Sequence, residues 1–128
     1  MYKYINTLIL LVLMQGCTTQ PTKEEIIRLS NKPCHSVIEC MSTLKFIIKY
    51  NLLISHEMQA YKAIVLIELN VDNSIKSIRV TESNGSEEID NRAIAAVKKS
   101  APFTFLEGLN ESQREIFNDI AFNFKASE

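Results

Sequence analysis

The chain has 128 residues, 46% of them hydrophobic, with 14 Lys and Arg against 15 Asp and Glu for a net charge of −1. Removing residues 1–16 takes away Lys3 and no acid and leaves −2, which gives no basic footprint for a nucleic-acid backbone, so no nucleic-acid partner is expected. The remaining length suffices for one modest core and not for two, and the apolar content excludes global disorder.

Lys3 precedes an apolar run at 7–14, TLILLVLM, which is too short to span a bilayer and matches the core of a signal peptide. Gly16 and Cys17 follow directly. A small residue before a cysteine at this place resembles the lipobox of bacterial lipoproteins. The resemblance implies a lipoprotein-type signal peptide over 1–16, acyl chains on Cys17 and a membrane lipid anchor. Thr18 after the cysteine implies passage to the outer membrane, so the expected location is the cell envelope, facing the periplasm. The alternatives are an ordinary signal peptide with Cys17 incidental, or an uncleaved anchor. If Cys17 is acylated, Cys34 and Cys40 remain as an even pair, expected to form a local disulfide in an oxidising compartment. The rival reading is a metal site at Cys34, His35 and Cys40. No second C-x-x-C or H-x-x-x-H supplies the remaining ligands, so no metal or other cofactor is expected.

Residues 17–33 are polar with two prolines and predict a tether, with a short helix at 24–29. The folded domain is expected over 34–128. Ser36 with Glu39 three residues on forms a capping box and opens an amphipathic helix over 36–58. Val37, Met41, Leu44, Ile48 and Leu52 keep helical spacing, joined by Ile38, Phe46 and Ile47, with Ser42, Lys45 and Lys49 largely on the other side. The run 61–70, YKAIVLIELN, predicts a strand central in a sheet or buried on both sides. VDNS at 71–74 is turn chemistry, and IKSIRVTES at 75–83 pairs back as a hairpin with one exposed face. Asn84-Gly85 allows positive φ and ends that strand. Residues 86–89 lead in to Asp90, the expected N-cap of a helix with a small face of Ala93, Ile94, Ala96 and Val97, stopped by Pro102. Residues 103–114 read as a loop. The last segment, 114–125, alternates Ile120, Phe122 and Phe124 against Asp119, Ala121, Asn123 and Lys125, which predicts a half-buried strand. The sum is an α+β fold of order αββαβ, with two helices on one face of a three-stranded antiparallel sheet. The 61–70 strand lies in the middle and the last strand at an edge.

Several of these pieces, in this order, resemble the C-terminal domain family of TonB and TolA. They are the strand AIVLIELN, the turn VDNS, the strand IKSIRVTES, then SNG, the run IDNRAIAAVKKSAPF and the closing strand IAFNF. The resemblance covers roughly 35–128. It implies a protein-binding domain that adds an extended partner peptide to its exposed third strand. The residues implied are Phe117, Asn118, Asp119, Ile120, Ala121, Phe122, Asn123 and Phe124. The partners implied are periplasmic or outer-membrane proteins of the Tol-Pal or TonB type, with colicins or phage coat proteins as a further class. The function expected is envelope integrity or transport. A reading of a different class is an immunity, exclusion or inhibitor lipoprotein that blocks an envelope target. An enzyme is not expected: His35 and His56 with Glu39, Glu57 or Asp90, and Cys34 beside His35, form no Ser–His–Asp order, carboxylate pair or phosphate loop.

Overall fold

The computed structural model describes residues 22–52 and 58–125. The expected signal peptide, Cys17, His56 and Glu57 lie outside the described residues.

Thr22 caps the first described helix, α1 (Lys23–Asn31), its hydroxyl accepting from the Glu25 amide at 3.2 Å. The helix runs past both ends of the expected 24–29 and does not stand in a free tether. Ile26 is buried in the main core, and the Ser30 carbonyl accepts from the Thr104 hydroxyl at 3.1 Å. The folded unit therefore includes residues 23–31, although their polar composition predicts a linker. Helix α2 (Val37–Leu52) begins at Ser36, whose hydroxyl accepts from the Glu39 amide at 3.2 Å. The Glu39 carboxylate returns the bond to the His35 amide at 3.2 Å, one residue earlier than the expected box. Cys40, Leu44, Ile47, Ile48 and Leu52 form its buried face.

Strand β1 (Lys62–Leu69) buries Ala63, Val65, Ile67 and Leu69 and shows Lys62 and Glu68 to solvent. It is central by position, paired on one side with the 75–83 strand and on the other with the 119–125 strand, and only one of its faces is fully covered. The turn to β2 (Ile75–Ser83) is closed by the Asn73 amide on the Asn70 carbonyl at 3.0 Å, with Asn73 left-handed at φ 69°. Asn accepts this region more readily than other residues with a side chain, because its short amide bonds locally. Asn73 is 4% exposed, and its side-chain oxygen accepts from Arg114 Nε at 2.6 Å. The same guanidinium donates to the Asn70 carbonyl and to Asn118 Oδ1, both at 2.9 Å. Arg114→Met keeps the apolar stem but strands the Asn73 oxygen without a donor. The expected cost is roughly 1–3 kcal/mol, read as a lower urea midpoint at unchanged slope.

Gly85 does not use positive φ. A Cβ there would lie 2.7 Å from a Tyr61 ring carbon, so the glycine serves close packing. The N-cap of α3 (Glu87–Ser100) is Ser86, four residues before the expected Asp90. Its hydroxyl accepts from the Ile89 amide at 3.3 Å, and 86–89 form the cap and first turn. Asp90 turns elsewhere, and its carboxylate accepts from the Tyr61 hydroxyl at 2.8 Å and from the Ser83 hydroxyl. Burial, and then the Asp90 carboxylate, push the Tyr61 phenol well above its ordinary range, so it stays a donor. Ala93, Ala96 and Val97 pack α3 into the core.

The expected loop at 103–114 contains a 3-10 turn (Thr104–Gly108) and a short helix, α4 (Glu111–Glu115), opened by an Asn110–Gln113 capping box. Phe103, Phe105 and Leu106 from this segment, and Phe117 just after α4, are among the largest fully buried side chains. Strand β3 (Asp119–Lys125) follows the expected alternation, with Ile120, Phe122 and Phe124 inward.

Cys34 and Cys40 lie at disulfide distance, Cα atoms 5.3 Å apart and both side chains buried. The bridge spans the Ser36 cap and joins the start of α2 to the 3-10 turn, because the Cys34 amide donates to the Phe105 carbonyl at 3.0 Å. In the chain-entropy picture so short a loop contributes about 2 kcal/mol. The Cys34→Ser, Cys40→Ser double variant should lose about that much in urea unfolding.

Candidate functional site

A three-stranded sheet has two edges, and they differ here. Strand β2 pairs with β1 through two register shifts, at Ile64/Val65 and Glu68/Leu69. Such bulges twist an edge away from further pairing. Strand β3 pairs with β1 over seven consecutive positions, Lys62↔Lys125 to Glu68↔Asp119, without a shift. It is the regular edge, and among the described residues no strand pairs with its outer side.

The direction of its backbone groups follows from the ladder. Antiparallel residues turn both amide and carbonyl to one neighbour and alternate along the strand. Lys62 and Asn70 bond toward β2, since the Asn84 amide donates to the Lys62 carbonyl and the Asn70 amide to the Ser74 carbonyl. Leu69 bonds the other way, donating to the Asn118 carbonyl at 3.0 Å. Odd residues of β1 therefore face β3, opposite Ile120, Phe122 and Phe124. The amides and carbonyls of Asp119, Ala121, Asn123 and Lys125 point outward.

Phe117 and Asn118 do not belong to this edge. The Phe117 amide donates to the Arg114 carbonyl at 2.9 Å and the Asn118 amide to the Glu115 carbonyl at 3.1 Å, both closing the end of α4. Phe117 is buried, and the Asn118 side chain accepts from Arg114. Ile120, Phe122 and Phe124 supply core packing, with Phe122 and Phe124 ring centroids 4.8 Å apart, and the strand's exposed side chains are Asp119, Ala121, Asn123 and Lys125.

Beside the edge runs a groove between β3 and α2. One part is lined by Met41, Ser42 and Lys45 with Ile120 to Asn123, and its continuation by Lys45 and Lys49 with Phe122 to Lys125. Met41 is 50% exposed and Ile38 81%, although helical spacing placed both on the buried face. The apolar stripe of α2 is wider than the surface that covers it, and its Met41 flanks β3. Periodicity marks a stripe but not which flank meets which strand, so Met41, Lys45 and Lys49 had no sequence signal as groove residues.

The other candidate chemistry is dispersed. Cys34 is buried against Cys40, His35 is exposed, Glu39 is held by the helix cap and Asp90 by Tyr61 and Ser83. Among the described residues no group of three His, Cys, Asp or Glu side chains is placed to hold a metal ion, and no helix is long and apolar enough to cross a membrane. A scan against protein-family models and a search of curated proteins both return no match.

Proposed function

We propose that this chain is a cell-envelope lipoprotein whose domain captures an extended segment of a periplasmic or outer-membrane protein along β3. The observation that carries the reading is the unbulged β3 edge, with outward amides and carbonyls at alternate positions beside a groove. Backbone hydrogen bonds supply affinity in such capture, and flanking pockets supply selectivity. The sequence resemblance to TonB and TolA C-terminal domains and the order of helices and strands support the same reading. They favour a Tol-Pal or TonB-type partner, with colicins or phage coat proteins as competitors for the same edge. The lipobox-like Gly16-Cys17 supports anchorage by acyl chains on Cys17.

Photo-crosslinking in the native envelope tests this reading. Probes are placed at Asp119 and Asn123 on the edge and at Lys99 on α3 as a control. A discrete envelope protein captured from Asp119 and Asn123 and not from Lys99 is expected. Capture from Lys99 alone would move the binding surface to the helices and favour an inhibitor role.

A further inference from the structure

The groove beside β3 has a charge and a spacing. Met41, Lys45 and Lys49 stand four residues apart and form one stripe along α2. At 1.5 Å rise per residue, each step along that stripe is about 6 Å. A β-strand advances about 6.8 Å per two residues, so alternate side chains of a strand laid beside β3 keep step with the stripe. The lining residues place Met41 beside Ile120 to Asn123, Lys45 beside Phe122, and Lys49 beside Phe122 to Lys125. Helix and strand thus run in the same direction. Lys45 and Lys49 make no ion pair among the described residues. Asp119 is the acid of the strand, and its side chain turns to the open face of the sheet beside Glu68, Ser77 and Arg79, away from the groove.

Resting on the edge-capture reading above, we propose that the groove selects an acidic segment of pattern acidic–x–acidic–x–apolar, added antiparallel to β3. Antiparallel pairing puts the guest's first residues at the Lys125 end of the strand. Guest residues opposite Phe124, Phe122 and Ile120 point to the α2 side, as those residues do. The first meets Lys49, the second Lys45 and the third Met41. Acids at the first two places pair with the ammonium groups, and an apolar residue at the third covers the exposed Met41 side chain. The intervening residues lie on the open face of the sheet, beside Asp119, Ala121 and Asn123, and carry little selectivity. A basic segment in the same register sets like charges against each other at two positions.

The test uses the full chain in detergent micelles and two fluorescein-labelled peptides, Ser-Glu-Thr-Glu-Thr-Leu-Ser and Ser-Lys-Thr-Lys-Thr-Leu-Ser. Anisotropy gives affinity, and amide resonances of Ala121 and Asn123 report pairing at the edge. The acidic peptide is expected to bind about tenfold or more tightly at low salt, with the preference shrinking as salt rises. Lys45→Glu with Lys49→Glu, both on the helix surface, should reverse the preference while the fold persists. Equal binding of both peptides with the Ala121 and Asn123 amides shifted would overturn the acidic selectivity and leave edge capture standing. Binding of the acidic peptide without those shifts would overturn both. No binding of either peptide overturns the proposed pattern, and concentration-dependent shifts without peptide would assign the edge to a second copy of the chain.

Discussion

Ala121→Pro is expected to abolish the photo-adduct formed from Asn123 and to weaken edge binding by more than tenfold, a loss worth about 1.4 kcal/mol or more, while the domain stays folded. The Ala121 amide points away from β1, so proline there removes no bond of the sheet. Its ring instead fills the space where a guest strand must approach, and the outward donor is lost. Residue 120 is already extended, which suits the position before a proline. The neighbouring variant Phe122→Pro makes the contrast. Its amide faces β1 opposite Val65, and its side chain is buried, so that substitution should cost roughly 3 kcal/mol or more and unfold a marginal domain. Melting curves and cross-link yields measured together on both variants check the pair. If Ala121→Pro leaves the adduct intact, the captured segment does not use the β3 backbone.

Phe124→Ala is expected to remove a large part of the domain's stability without touching the backbone. The ring is 2% exposed and lies between Phe122, with centroids 4.8 Å apart, and Tyr61, at 6.4 Å. Truncation removes its burial and leaves a cavity that the rigid strand closes only in part, a loss of about 3–5 kcal/mol. That is a large share of the roughly 5–15 kcal/mol that holds a typical domain. The urea midpoint should fall accordingly. A loss below about 1 kcal/mol, far under the usual cost of truncating a core phenylalanine, would mean that the Phe122, Phe124 and Tyr61 rings do not form one packed unit.

The strands were legible because their signals are local. Alternation in IAFNF is a two-residue period and AIVLIELN is a short continuous β-branched run, and neither signal depends on the choice of neighbours. The hairpin at 70–74 was legible for the same reason, since Asn and Asp mark turns by their own side-chain chemistry. The misread places are those where a residue's partner is distant in sequence. Asp90 has the chemistry of an N-cap, but Ser86 takes that role and Tyr61, 29 residues away, takes the carboxylate. Gly85 reads as a turn glycine, whereas its lack of a side chain admits the Tyr61 ring. Phe103, Phe105 and Leu106 lie in a segment without helical or strand period and still fill the core, held by a turn that bonds to the backbone at Cys34.

The same division governs the candidate site. The alternation of β3 foretold which side chains turn outward, and the ladder register then assigned the outward amides. The boundary at Phe117 and Asn118 failed because the end of α4 consumes both amides, a feature of the short helix that composition hid. The lysines of α2 became groove residues only once β3 was seen to lie beside them.

Amide hydrogen exchange along β3 in the isolated chain tests the open edge most directly. Slow exchange at Ile120, Phe122 and Phe124 with fast exchange at Ala121 and Asn123 is the predicted result, since only the first set donates to β1. Uniformly slow exchange from Asp119 to Lys125 would contradict it, because the outer side of β3 would then already be covered.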